Sequence, residues 1–255
     1  MTYQGYLIDL DGTMYRGDQP IPSARDFVMR LQARKIPFLF ITNNATKSPK
    51  EIQDQLARQF DIHVQIDQIY TSALALRDYL LAHHQEEEIY AIGEPSFRKL
   101  LMEEGLNVSQ SESASILVQS LDRHISYEIL SQAVHVLNNG AKFYVTNDDR
   151  LIPNGQIFDP SSGAITAFLS YACDRQPFIF GKPHRPIVEG ALHILGIDKT
   201  SVVLIGDNYD TDILSGIHMQ LDTIMVLTGV SSREDLSHVN HQPTYVVRDL
   251  SEWEL

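Results

Sequence analysis

Short apolar runs alternate with longer stretches of helical periodicity along the whole chain. The first run, Tyr6-Leu7-Ile8, stops in Asp9-Leu10-Asp11-Gly12-Thr13, and a run of that length closed by a turn predicts a buried strand. Pro22-Ser23-Ala24 opens a helix with Phe27, Val28 and Leu31 on one stripe. Residues 37–41 predict a second buried strand ending in Thr42-Asn43-Asn44, and Ser48-Pro49 starts a helix carrying Ile52, Leu56 and Phe60. Residues 69–72 form a weaker strand. Strands follow at 89–92, 115–118 and 143–146, with a helix between the last two that sets Tyr127, Leu130, Val134 and Leu137 on one face. A turn-rich stretch, Asn154-Gly155 to Ser161-Ser162-Gly163, precedes another helix near Thr166 to Cys173. The last third holds an apolar run ending in Gly181-Lys182-Pro183, a strand ending in Gly206-Asp207-Asn208, a helix entered through Thr211-Asp212-Ile213, and strands at 223–229 and 244–247. Strands alternating with helices predict an α/β fold whose parallel sheet is covered on both faces.

Composition narrows the class. With 255 residues, 43% hydrophobic and 21% charged, the chain is long enough for one large domain or a core with an inserted module. A net charge of -13 leaves no basic stripe to neutralise a nucleic-acid backbone. An anionic substrate must then be met by local positive charge. One cysteine, Cys173, excludes an internal disulfide and a cysteine-rich zinc site. No basic-apolar leader and no membrane-length apolar run are visible, so the expectation is a cytoplasmic protein without membrane contact.

The chemistry concentrates at the ends of four apolar runs. On a strand, Asp9 and Asp11 share a side, and Gly12 allows the sharp turn that follows. Paired carboxylates repel unless a cation or a shared proton relieves them. A calcium loop counted from Asp9 would need Gly and Glu where Met14 and Pro20 stand, which excludes it. If the four runs are neighbouring strands of one sheet, Asp9/Asp11, Thr42/Asn43, Lys182 and Asp207/Asp212 converge on one edge. Three carboxylates and a backbone carbonyl suit a hard cation such as Mg²⁺. Lys182 adds positive charge, and Thr42 and Asn43 offer uncharged donors to an oxyanion. Such a set suits phosphoryl transfer, one carboxylate attacking and a second shuttling protons. The second role needs a raised pKa, from burial or from a neighbouring charge. Plainer roles stay open. Asp212 can serve a helix start, Thr42-Asn43-Asn44 can cap the next segment, Asp148-Asp149-Arg150 can be a charged loop, and His83-His84 reads as a solvated helix end.

In order, Asp9-Leu10-Asp11-Gly12-Thr13, Thr42-Asn43-Asn44, Gly181-Lys182-Pro183 and Gly206-Asp207 with Thr211-Asp212 resemble the four motifs of the haloacid-dehalogenase-like (HAD) superfamily. Asp11-Gly12-Thr13-Met14-Tyr15-Arg16-Gly17 is similar to the NagD-type, p-nitrophenyl-phosphatase-like branch. The resemblance implies a Rossmann-like core at 1–72 and 179–255, with an inserted C2-type cap at 73–178. It implies a nucleophile at Asp9, a general acid/base at Asp11, and Mg²⁺ held by Asp9, the Asp11 carbonyl and Asp207 with support from Asp212. Thr42 and the Asn43 backbone would hold phosphate oxygens, within a phosphate-binding set that includes Gly12 and Asn44, and Lys182 would pair with nucleophile and phosphate. The implied activity is hydrolysis of small phosphorylated metabolites, sugar phosphates or nucleoside monophosphates, with p-nitrophenyl phosphate as surrogate. A homodimer is possible by the same resemblance. A phosphomutase and a phosphoryl-accepting receiver-like module are the alternatives. Asn208-Tyr209, where many relatives have a basic residue, and Asp159-Pro160-Ser161-Ser162-Gly163-Ala164 in the cap depart from the usual pattern and bear on substrate identity.

Overall fold

The computed structural model describes residues 3–155 and 157–255. The chain divides into two compact units, one comprising the chain up to Thr42, Pro49–Tyr70 and Lys182–Leu255, the other Asn43–Ser48 and Thr71–Gly181. The second unit therefore takes in Asn43–Ser48 and closes at Gly181, where the sequence reading set its ends at 73 and 178.

The first unit is built on a six-stranded sheet in the order Tyr245–Val247, Asp222–Val226, Val202–Gly206, Gly5–Ile8, Phe38–Thr42, Ile69–Thr71. The described pairings of its first five strands are parallel, with Ile8 level with Ile205 on one side and Phe40 on the other. The central strands are buried along their whole length, which is why they read as continuous apolar runs and not as alternating ones. The helix Pro22–Ala33 buries Ala24, Phe27, Val28 and Leu31, and Pro49–Phe60 buries Ile52, Leu56 and Phe60. Both stripes match the periodicity. Phe27 meets Tyr6 edge-on at 5.6 Å between ring centroids, in the same buried cluster as Ile8, Phe40 and Ile205.

The second unit carries a five-stranded sheet, Phe178–Ile179, Lys142–Val145, Ile116–Gln119, Ile89–Ile92, Val108–Ser109, again with parallel pairings. Three expectations need correction here. The run leading to Lys182 pairs with Lys142–Val145 in this sheet, so it is no neighbour of the strands ending in Asp9, Thr42 and Asp207. Within Tyr127–Asn138 the buried positions are Ala133, Val136 and Leu137, and Tyr127 in the first turn is exposed. His84 is buried, with Nδ1 at 2.7 Å from Glu87 and Nε2 at 2.9 Å from the Tyr144 hydroxyl. The turn-rich stretch also contains a short antiparallel pair, Leu151–Asn154 with Ile157–Pro160. No helix among the described residues is long and apolar enough to cross a membrane.

The packing generates a stability prediction. Phe27→Ala empties a fully buried aromatic site and should cost about 3–5 kcal/mol. Met29→Ala on the exposed side of the same helix should stay within about 0.5 kcal/mol of the parent. Urea melts of the two variants check the contrast.

Candidate active site

The site sits at the carboxyl ends of the central strands of the first unit, where open α/β sheets bind ligands. Asp9 follows the Gly5–Ile8 strand directly, its N–H donating to the Ile205 carbonyl at 2.9 Å. Asp207 follows Val202–Gly206 in the same way. Asp212 lies in the single turn Tyr209–Ile213 that leads into the helix Leu214–Met219. One carboxylate oxygen from each of Asp9, Asp207 and Asp212 falls within 4.8 Å of the others, and all three residues are buried.

Lys182 reaches the same point although its preceding strand belongs to the other sheet. Its ammonium donates to Asp9 Oδ1 at 2.5 Å, to Asp212 Oδ1 at 2.7 Å and to the Ile41 carbonyl at 3.2 Å. Burial works against the charged amine, but Asp212 and Asp9 together outweigh it and hold the Lys182 pKa above lysine's ordinary value. The carboxylates are less well served. Burial and the neighbouring Asp212 push Asp9 well above the usual carboxylate range against the pull of Lys182. Burial, again with Asp212, raises Asp207 to about 7. One ammonium among three buried carboxylates leaves a deficit of positive charge, and the donor atoms are all oxygen. That donor set fits a hard divalent cation.

Backbone and one hydroxyl support Asp207, Thr13 Oγ1 donating to its Oδ1 at 3.5 Å. Val230 N–H donates to its Oδ2 at 2.6 Å, and Ser231 N–H to its main-chain carbonyl at 3.2 Å. A Cβ on Gly229 would stand 1.9 Å from Asp207 Oδ2, and one on Gly12, whose φ is +92°, would stand 2.3 Å from it. Only hydrogen fits at either place. Thr228 Oγ1 ties the two loops by donating to the Gly12 carbonyl at 2.6 Å. The segment 228–231 was missed from sequence, and its one signal was a glycine just past a strand end.

The remaining expected residues divide. Thr42 is buried at the end of the strand beside Gly5–Ile8. Asp11 is exposed, with Gly17 N–H donating to its Oδ1 at 3.4 Å. Asp212 also serves its own turn, Oδ2 accepting from Asn208 N–H at 3.1 Å. Asn43 and Asn44 belong to the second unit. The Asn44 side chain accepts from Thr46 N–H at 3.0 Å and from Thr46 Oγ1 at 2.8 Å, the local turn that its residue type also allowed.

Comparison with known proteins agrees with this geometry. Residues 6–107 match a model of haloacid dehalogenase-like hydrolases, and residues 179–253 match a HAD-hydrolase-like one. An acid sugar phosphatase of Staphylococcus epidermidis is 43% identical over 249 residues, covering 98% of this chain and 96% of that protein. The 5'-nucleotidase YutF of Bacillus subtilis is 39% identical, covering 99% and 98%. The solved structure of a mutant thermostable p-nitrophenylphosphatase from Bacillus stearothermophilus superposes with a TM-score of 0.90 at 43% identity, covering 99% and 98%. The chain is a phosphatase that belongs to the haloacid dehalogenase-like hydrolases, in the p-nitrophenyl-phosphatase-like branch its motifs resemble.

Proposed function

We propose that the chain is a Mg²⁺-dependent phosphomonoesterase that works through an aspartyl-phosphate on Asp9 and acts on small phosphorylated metabolites. The observation that carries this reading is the Asp9 carboxylate pinned by Lys182 beside Asp207 and Asp212. Sugar phosphates and nucleoside monophosphates are the substrate classes, in keeping with the names of the acid sugar phosphatase and 5'-nucleotidase relatives. p-Nitrophenyl phosphate serves as surrogate.

Asp9, Asp207 and Asp212, with the Asp11 carbonyl, would hold the cation, which supplies charge neutralisation for the phosphoryl oxygens. The protein's own groups do the rest. Lys182 fixes one oxygen of Asp9, so the other is directed at phosphorus as a positioned nucleophile. Thr42 and the Asn43 N–H bind non-bridging oxygens. Asp11, exposed at the turn, protonates the leaving oxygen in the first step and takes a proton from water in the second. The unit containing Thr71–Gly181 acts as the cap that excludes water and selects the leaving group.

Two outcomes are expected. Asp9→Asn should lower turnover by on the order of 10⁴-fold or more while keeping the parent melting temperature, and parent-like activity would remove the nucleophile. Asp11→Asn should release about one equivalent of p-nitrophenolate in a rapid burst and then slow by about 10²–10⁴-fold, because that leaving group needs little protonation whereas the second step needs a base. Stopped-flow absorbance with p-nitrophenyl phosphate reads this, and steady turnover without a burst would take Asp11 out of the second step. Metal dependence is tested in parallel. EDTA should abolish hydrolysis and Mg²⁺ restore it, and Mg²⁺ at about a hundred times its Kd should stabilise the fold by about 2.7 kcal/mol, an effect absent from Asp207→Asn.

A further inference from the structure

The chain passes between its two units at Thr42/Asn43, Ser48/Pro49, Tyr70/Thr71 and Gly181/Lys182. On the second unit's side, residues next to three of these passages meet in one knot. The Asn43 carbonyl accepts from Ser72 Oγ and from Asn147 Nδ2, each at 2.9 Å, and Asn43 Nδ2 donates to Asp149 Oδ1 at 3.0 Å. Asn147 is held in turn, its Oδ1 accepting from Asp149 N–H at 3.2 Å. Its Nδ2 lies 3.4 Å from Thr146 Oγ1, which donates to Ser120 Oγ at 3.2 Å. Asn43, Ser72, Thr146 and Asn147 are all buried. Gly181 closes the knot, since a Cβ there would stand 2.6 Å from Asn43 Oδ1, 2.7 Å from the Thr146 carbonyl and 2.8 Å from Asn147 Cβ.

We infer that Asn147 and Asp149 are positioning residues for phosphate recognition, acting through Asn43. The inference rests on the reading above in which the Asn43 N–H binds a phosphate oxygen. Two donors fill the Asn43 carbonyl and a carboxylate holds its side chain, so two of the three groups that orient the residue are pinned. With the carbonyl carbon and the side chain held, the tetrahedral Cα places the third, the nitrogen that carries the N–H. Preorganised donors are worth most when they need not reorient at the moment of binding, and small misplacements are expensive. Asp148-Asp149-Arg150, open from sequence as a charged loop, takes another role at its middle member. Asp149 grips the chain that carries the donor.

The test compares the parent, Asp149→Ala, Asn43→Ala and the double variant, with inorganic phosphate as competitive inhibitor of p-nitrophenyl phosphate hydrolysis. Asp149→Ala should raise the phosphate Ki and the KM about tenfold with a smaller change in kcat. Asn43→Ala keeps the N–H but loses the grip and should do the same. The double variant should be no weaker than either single, because both remove one linkage. Asp149→Asn keeps an acceptor oxygen and should restore the parent Ki. A lowered melting temperature with parent Ki in Asp149→Ala, or multiplying effects in the double variant, overturns the inference. If Asp149→Ala does not fold, Asp149→Ser, with a shortened acceptor, takes its place against Asp149→Asn under the same criteria. A parent enzyme that hydrolyses no phosphomonoester would instead remove the phosphatase reading itself.

Discussion

One buried ammonium organises the strand ends of the first unit. Lys182 meets Asp9, Asp212 and the Ile41 carbonyl, and so joins the ends of two adjacent strands and the turn after a third. Removing one partner of such a buried set leaves uncompensated charge, a loss of about 3–5 kcal/mol in comparable cases. The set is nevertheless not built for stability. A third carboxylate, Asp207, is packed into the same place with the Val230 N–H at 2.6 Å and the Thr13 hydroxyl at 3.5 Å as its donors, and burial together with the neighbouring Asp212 pushes both Asp9 and Asp207 upward against the pull of Lys182. A fold optimised for its own energy would replace one of these acids with an apolar residue.

Side-chain identity at strand ends was legible in the sequence, because a carboxylate after a buried run has no structural reason to be there. Asp9 and Asp207 were singled out that way, and Phe27, Leu31, Ile52 and Leu56 were found from periodicity. Lys182 stands beside Asp9 and Asp212, but not by the route considered from sequence. Convergence was conditional on its run neighbouring the strands that end in Asp9, Thr42 and Asp207, but strand pairing is a long-range choice that a two-residue strand, Phe178–Ile179, does not declare. Tyr127 shows the corresponding limit for helices. Periodicity finds a stripe but not where the core ends beneath it, and the first turn of Tyr127–Asn138 overhangs. His84 failed for a third reason, since its burial depends on Tyr144 and Glu87, and Tyr144 lies 60 residues away.

Backbone donors are the least legible part of the site. Nothing in the letters Val230 and Ser231 marks them as the partners of Asp207, because any residue but proline carries the same N–H. Glycine leaves a trace only through what it omits. Gly12 and Gly229 both face the Asp207 carboxylate where a methyl group would collide, and Gly181 does the same against Asn43. These glycines stand at three separate strand or loop ends, and each lets main chain approach a polar group that a side chain would shield.

The overall charge of -13 sharpens what the site must do. Beyond roughly 8–10 Å salt screens most of the protein's field, so a phosphate monoester approaching the surface is not excluded by distant acids. Inside that distance it meets Asp9, Asp207 and Asp212, and Lys182 alone leaves the ionised cluster net negative. Proton uptake relieves the repulsion, but a protonated Asp9 is no nucleophile. In the proposed mechanism a divalent cation held by Asp9, Asp207 and Asp212 would relieve it while leaving Asp9 ionised, and would supply positive charge for the phosphoryl oxygens. On that reading, the misfit between three carboxylates and one amine is the feature that would couple metal binding to catalysis.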